Sequence, residues 1–275
     1  MPPVLKKIIA VALLLIVANV GFVWYGQASY EATLKSLSKA FIDDNASAKT
    51  MNTSAQLPPA ISGYIDFSNP ARKPYRAVVL QFDGTYSPKE GKSMKMHALA
   101  LLRPTPDMLW GIRLDSNPLI TFNAIETYHA SRAMMQTTLF GIIPIAKFDG
   151  TAFARSELAK ILAYGLFNPD LLKCECIRYE KVDTDHTIAT IEDGNLTASV
   201  TFTSDNKGRI VEVSSDDRVK PVNKKMSKAP WRMRVLSYKE FKGIRLPAKI
   251  EESWGTKEGR LRPYAEYTLT QAEWL

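Results

Sequence analysis

The stretch HTIATIEDGNLTASVTFTS, His186–Ser204, reads as two strands rich in β-branched residues and joined at Asp193-Gly194-Asn195. Asp-Gly is hairpin chemistry, because glycine accepts the positive φ of a tight turn, and so short a connection makes its strands antiparallel neighbours. The same reading spreads outward. KCECIRYEKVD comes before it, ended by Asp183-Thr184-Asp185. GRIVEVSS, WRMRVLSYKEF, IRLPAKIEESW and YAEYTLTQAEWL follow, punctuated by Asp205-Asn206-Lys207-Gly208 and Lys242-Gly243. Between Tyr75 and Phe148 a further series runs through YRAVVLQFDGTYS, MKMHALALL, MLWGIRLD, LITFNAIETYHA and AMMQTTLF, with Asp83-Gly84 as turn chemistry. Val78–Leu80 and Leu99–Leu102 are apolar on both faces, as expected of strands that lie under a helix or face an enclosed apolar space.

One helix interrupts the strands. TAFARSELAKILAYGLFNP, Thr151–Pro169, sets Phe153, Leu158, Ile161, Leu162, Gly165 and Leu166 largely along one side, with Asp149-Gly150-Thr151 as a cap region and Pro169 as a stop. At 275 residues and 45% hydrophobic the chain can bury a full core, and nothing repeats at a fixed period. The fold class is therefore α+β: a large, curved, half-barrel-like antiparallel sheet with one main packed helix, preceded by an N-terminal transmembrane helix.

That last element comes from IIAVALLLIVANVGFVWY, Ile8–Tyr25, which is apolar apart from Asn19. As a helix it reaches roughly 27 Å, near the bilayer core of about 30 Å. Lys6 and Lys7 before it predict a cytoplasmic N-terminus, and Trp24-Tyr25 close it with an interfacial aromatic pair. The rival is a cleaved signal peptide cut ahead of Ser29; the apolar run exceeds the usual length of about 7–15 residues, which favours an uncleaved anchor. Either way residues 30–275 are expected on the periplasmic side. The expected division is a signal-anchor over 1–28, a juxtamembrane helix and linker over 29–56, and one exported β-rich domain over 57–275. Leu34, Leu37 and Phe41 continue the helix outward, and Asn45–Pro59 reads as linker.

Four spaced landmarks carry a resemblance: ARSELAKILAYGLFNPDLL from Ala154, RYEKVD from Arg178, DDRV from Asp216 followed by APW ending at Trp231, and GIRLP from Gly243 leading to Trp254. In this order they resemble an uncharacterised family of bacterial membrane-anchored proteins, a domain of unknown function, over most of the chain after residue 75. The resemblance implies the architecture and the anchoring, and no catalytic residue. The family's helix usually carries an arginine and a glutamate where this chain has Lys160 and Tyr164. The strand succession with a packed helix also looks like the lipoprotein-carrier half-barrels of the bacterial envelope, a likeness of fold and not of function.

Cys174 and Cys176, the only cysteines, read as small residues on one face of a strand. About 6.6 Å apart there, they would need a bulge or bend to bridge, and zinc would need ligands the neighbourhood does not supply. No metal and no cofactor is expected. His97, His129 and His186 are isolated in sequence, and Asp216-Asp217 reads as turn and pairing chemistry beside Arg218. The segment from Asp205 to Arg262 holds the chain's whole excess of +8. Within it Arg218, Lys220, Lys224, Lys225 and Lys228 form a basic loop suited to anionic lipid headgroups; export argues against nucleic acid. Trp110, Phe122, Tyr128, Met134, Met135 and Phe140, on successive strands, would line an apolar cavity in the sheet's concavity. The functional expectation is a non-catalytic, membrane-anchored envelope protein that binds an apolar or amphipathic, lipid-like ligand there. The alternatives are a protein-interaction module and a hydrolase with its site at strand ends.

Overall fold

Two meanders make one sheet. The first runs through β1 (Val78–Lys89), β2 (Lys92–Leu102), β3 (Met108–Asn117), β4 (Ile120–His129), β5 (Arg132–Leu139) and β6 (Ile143–Asp149), each antiparallel to the one before. The second runs through β7 (Ile177–Lys181), β8 (His186–Asp193), β9 (Leu196–Ser204) and β10 (Ile210–Ser215). It then makes a separate hairpin of β11 (Val219–Val222) and β12 (Lys225–Lys228), and returns through β13 (Trp231–Phe241), β14 (Ile244–Gly255) and β15 (Leu261–Trp274). β15 pairs with β1, Val78 opposite Trp274 and Tyr86 opposite Ala265. The result is a 13-stranded antiparallel sheet in the order β6-β5-β4-β3-β2-β1-β15-β14-β13-β10-β9-β8-β7.

The computed structural model describes residues 2–44, 57–69, 75–117, 120–222 and 225–275, apart from the side chains of Ile8, Val11, Ala12, Leu15, Ile16, Pro221, Val222 and Lys225. The linker expected over 45–56 and the Lys224 side chain lie outside the described residues.

Twist at every pairing curls a sheet this wide. It curls until the β4–β5 turn meets the β8–β9 turn. Tyr128 OH and Ser131 N both donate to Asp193 Oδ2 at 2.8 Å, and Ser131 Oγ donates to the Asp193 carbonyl at 2.9 Å. Helix α3 (Thr151–Ala163) occupies the enclosed concavity. An apolar stripe on one side understates its burial: from Phe153 to Ala163 every residue except Arg155 is buried.

Two further helices are present among the described residues. α1 (Pro3–Asp43) lays its second half along the convex face, which explains the strands apolar on both sides. Tyr30 OH donates to the Ala124 carbonyl, Leu34 lies against Gly111, and Phe41 stacks beneath the Arg103 guanidinium, 4.6 Å from the ring centre. Where α1 crosses the β5–β6 turn the backbones nearly touch: a Cβ on Gly26 would fall 1.8 Å from the Phe140 carbonyl oxygen. α2 (Pro59–Ser68) escaped the sequence reading. Ile61 and Tyr64 are fully buried, and Tyr64 OH donates to the Leu166 carbonyl at 2.5 Å. Its single buried pair per turn is too short a pattern to stand out beside two prolines.

Asp83-Gly84 is not a turn. Both residues lie inside β1, where Gly84 is needed because a Cβ would come 2.2 Å from the Glu266 carbonyl oxygen on β15. Towards its N-terminus α1 leaves the sheet, with Leu13, Leu14, Val17 and Val20 exposed. Among the described residues no helix is long and apolar enough to cross a membrane; the apolar side chains of Ile8, Val11, Ala12, Leu15 and Ile16 are outside that set.

Candidate functional site

The centre of the concavity is ionic. α3 is short and buried on nearly all sides, so its polar residues meet the sheet instead of water. Lys160 Nζ bonds Glu126 Oε2 on β4 and lies 3.8 Å from Glu157 Oε2 and 4.5 Å from the Trp110 ring centre. Arg218, just before β11, reaches inward: Nη1 donates to Glu157 Oε1 at 3.1 Å and to the Ser156 carbonyl at 2.9 Å, under Trp231 and Trp254. Immediately after α3, Tyr164 OH donates to Glu252 Oε1 of β14 at 2.6 Å; Tyr264 and Tyr267 of β15 bond the same carboxyl. Trp231 Nε1 donates to Tyr264 OH at 3.2 Å.

Three carboxyls thus face two cations in a medium that penalises every unpaired charge. Burial pushes the Glu157 carboxyl above its usual range, against the pull of Lys160 and Arg218. Burial also raises Glu252, although the Tyr264 hydroxyl bond and the Arg218 charge draw it down. Loss of hydration is the largest influence on Arg218 and would lower its pKa, but Glu157, Tyr264, Glu252 and Glu126 together outweigh it, so Arg218 holds its proton more firmly than usual. Glu157 Oε2 and Arg218 Nε are buried without a hydrogen-bond partner among the described residues. Chemically the cluster is a polar pin that locks α3 to both meanders, with one carboxyl in excess.

α3 covers only part of the concave face. The register puts Leu80, Ala100, Trp110, Glu126 and Met135 in one row across the sheet, beneath the helix. The next rows, towards the β3–β4 and β5–β6 turns, run Ile112-Ala124-Thr137 and Leu114-Phe122-Leu139, and all six residues are half-buried. They form an apolar trough at the end of the sheet from which α1 departs.

The six cavity residues expected from the sequence divide accordingly. Trp110 and Tyr128 are buried on the concave face, Phe122 lies in the trough and Met135 beside it. Met134 points to the other face, 38% exposed, and Phe140 sits past the end of β5 against Phe22 of α1, ring centres 5.9 Å apart. The basic loop also divides. Arg218 is 6% exposed and turns its charge inward, so it is not a surface cation; Lys220 Nζ donates to the Gly255 carbonyl at 3.0 Å, and Lys228 is exposed.

Cys174 and Cys176 are joined by a disulfide, with Cα atoms 5.1 Å apart. The strand expected there begins only at Ile177. The cysteines lie in the bend that follows a single 3₁₀ turn, Leu171–Lys173, and that bend brings them within bridging distance. Each histidine meets its own aspartate: His97 with Asp83 at 2.6 Å, His129 with Asp107 at 2.7 Å, His186 with Asp183 at 2.9 Å. Asp217 accepts the Ser199 N–H at 2.9 Å and pairs with Arg155, not with its neighbour Arg218. Among the described residues no group of three or more His, Cys, Asp or Glu side chains is placed to hold a metal ion.

Residues 46–267 match DUF6544, a family of unknown function. The chain belongs to that family. No curated protein matches it. Among solved structures, a DUF1329 family protein from Desulfovibrio piger superposes with a TM-score of 0.44 at 10% identity, over 79% of this chain and 94% of that one. A domain described as an outer membrane lipoprotein-sorting protein, from Vibrio parahaemolyticus, gives 0.44 at 10% identity over 78% and 91%. A LolA superfamily protein from Nitrosomonas europaea gives 0.34 at 10% identity over 78% and 92%. In this DUF6544 chain Lys160 of α3 and Tyr164 just after it both belong to the ionic cluster. The sequence signal for the cluster was Glu157 and Lys160 inside an otherwise apolar helix; their partners come from strands far away in the chain.

Proposed function

We propose that this is a membrane-tethered protein of the bacterial envelope, with residues 30–275 on the periplasmic side, that binds the apolar part of a lipid-like amphiphile in the concave trough without catalysing a reaction on it. The observation that carries the reading is the trough itself: Leu114, Phe122 and Leu139 continue the buried face of the sheet beyond α3 and stay half-open. Trp110 and Met135, in the row beneath α3, close its inner end with an apolar surface of the kind ligand sites use. The trough lies at the strand ends next to the outgoing half of α1, whose apolar residues have no protein cover. Reading Ile8–Tyr25 as an uncleaved anchor puts its opening towards the bilayer. Lys220 and Lys228 then sit where anionic headgroups add about 1 kcal/mol per cation.

The test is native mass spectrometry of the full chain, purified from bacterial membranes in mild detergent, before and after organic extraction. A discrete extractable amphiphile that disappears in Phe122→Glu and Leu114→Glu is the expected result. A bare chain mass for the unmodified protein overturns the ligand reading, and release from membranes by an alkaline carbonate wash overturns the anchor.

A further inference from the structure

The convex face carries a second, chemically different cavity. Where α1 leaves the sheet, Val20, Val23 and Trp24 form one wall and Lys95, Arg113 and Thr121 the other, around a space of about 620 Å³. The polar wall comes from three adjacent strands in register: Lys95 of β2 opposite Asp115 of β3, and Asp115 opposite Thr121 of β4. Such a wall on an outward face normally meets water. Here α1 lies over it, held by Gln27, whose side-chain oxygen accepts from Asn123 Nδ2 at 3.3 Å, and by Tyr30.

The groups in this wall are not used up by one another. Arg113 and Thr121 line the cavity, while Arg113 Nε and Thr121 Oγ1 themselves lie buried behind its surface without hydrogen-bond partners among the described residues. Asp115 is the one carboxylate in the lining. It is shared between Arg113 Nε at 3.4 Å, too long for a hydrogen bond, and His97 Nε2 at 3.7 Å. Lys95 forms no ion pair among the described residues. The cavity therefore presents two cations against one divided carboxylate.

Its surroundings are apolar on the side facing away from the sheet. The β5–β6 turn holds Phe140 against Phe22, and Val20 and Trp24 of the α1 wall are 51% and 73% exposed. A cationic recess bordered by the apolar Val20, Val23 and Trp24 of α1 suits a molecule that is anionic at one end and hydrocarbon at the other. A guanidinium matches two oxygens of one phosphate in its plane, and a lysine beside it adds a point charge.

We infer that this seam is a binding site for a phosphate ester, with Arg113 and Lys95 on its oxygens and the alkyl part of the ligand passing along Val20 and Val23. The assignment rests on α1 being the anchor, because Trp24 then sets the recess at headgroup height. It is independent of the concave trough.

The experiment uses the full chain in mild detergent, with native mass spectrometry and titration of phosphatidylglycerol, phosphatidylcholine and inorganic phosphate as probes. Phosphatidylglycerol is expected to bind at least tenfold more tightly than phosphatidylcholine. Lys95→Gln and Arg113→Gln each weaken it about fivefold, the effect of one cation at an anionic headgroup. Lys95 is exposed, so Lys95→Gln tests the site even where Arg113→Gln disturbs packing. Displacement of the lipid by millimolar inorganic phosphate supports the site and makes free phosphate its ligand; no displacement supports a lipid source. Equal affinity for the two lipids overturns the proposal, as does unchanged binding in Lys95→Gln. Loss of phosphatidylglycerol in Phe122→Glu with none in Lys95→Gln also overturns it, by placing the lipid in the trough.

Discussion

Replacing Lys160 by methionine removes the only cation between Glu126 and Glu157 and keeps the volume and length of the side chain. At 3.8 Å and an effective dielectric constant of about 20, the Lys160–Glu157 attraction alone is about 4 kcal/mol. Breaking a buried pair by deleting one partner typically costs about 3–5 kcal/mol, since the other charge stays behind without compensation. Glu126 stays behind without its cation, while Glu157 keeps Arg218 at 3.1 Å, so that range applies at pH 8. As pH falls the abandoned carboxyl takes up a proton and the loss shrinks. The assay is urea unfolding of the full chain in mild detergent at pH 5 and pH 8, followed by tryptophan fluorescence. With a urea m-value near 3 kcal/mol/M, the midpoint drops by about 1.5 M at pH 8 and by clearly less at pH 5. Adding Glu126→Gln to Lys160→Met recovers a large part of the loss, because the surviving amide no longer carries a charge. A midpoint unchanged at pH 8, or a loss that Glu126→Gln leaves untouched, refutes the view that α3 is held by charge pairing.

Glu252→Gln probes the other half of the cluster. The folded-state pKa of Glu252 is raised above its unfolded value by burial, so stability is greatest below the unfolded value, near pH 4.5, and declines as pH rises through the folded one. The glutamine variant has a shallower decline between pH 5 and pH 8, read from urea midpoints, and identical slopes count against it. Gly26→Val forces a Cβ into the Phe140 carbonyl and separates α1 from the β5–β6 turn. A disulfide cross-link between Phe22→Cys and Phe140→Cys, made in a background lacking Cys174 and Cys176, then forms in the parent and fails in the variant; a cross-link of equal yield contradicts this. Replacing both native cysteines by serine costs no more than about 2 kcal/mol, because a bridge between residues two apart closes a very short loop. A larger shift in the urea midpoint assigns the disulfide more than local bracing.

The sheet was legible because its information is local: β-branched runs, period-two burial and short turns specify strands and neighbours without reference to distant residues. α3 was legible for the same reason. The cluster it carries was not, since Glu126, Arg218 and Glu252 acquire meaning only when three parts of the chain meet Glu157, Lys160 and Tyr164. Arg218 looked like one more cation in a basic loop, and only the tertiary fold turns it inward. Asp83-Gly84 failed in the opposite direction. Its turn chemistry is real, but the glycine is there for close passage of β15 and not for a positive φ. The cysteines were placed on a strand because the run that follows is one, and a single 3₁₀ turn before it changed their spacing.

One topological fact bears on how the molecule is made. β15, last in chain order, lies in the middle of the sheet between β1 and β14. Until it arrives, β1 is an open edge, and the two meanders have no ladder between them. Val78 then waits for a partner at Trp274, a separation of nearly the whole globular chain. Contacts of that reach form slowly, and an unpaired edge in the meantime invites pairing with another chain. A nascent chain would therefore depend on holdase chaperones until β15 has been made. Truncation within β15 would leave two separate edges for proteolysis, not one shortened sheet.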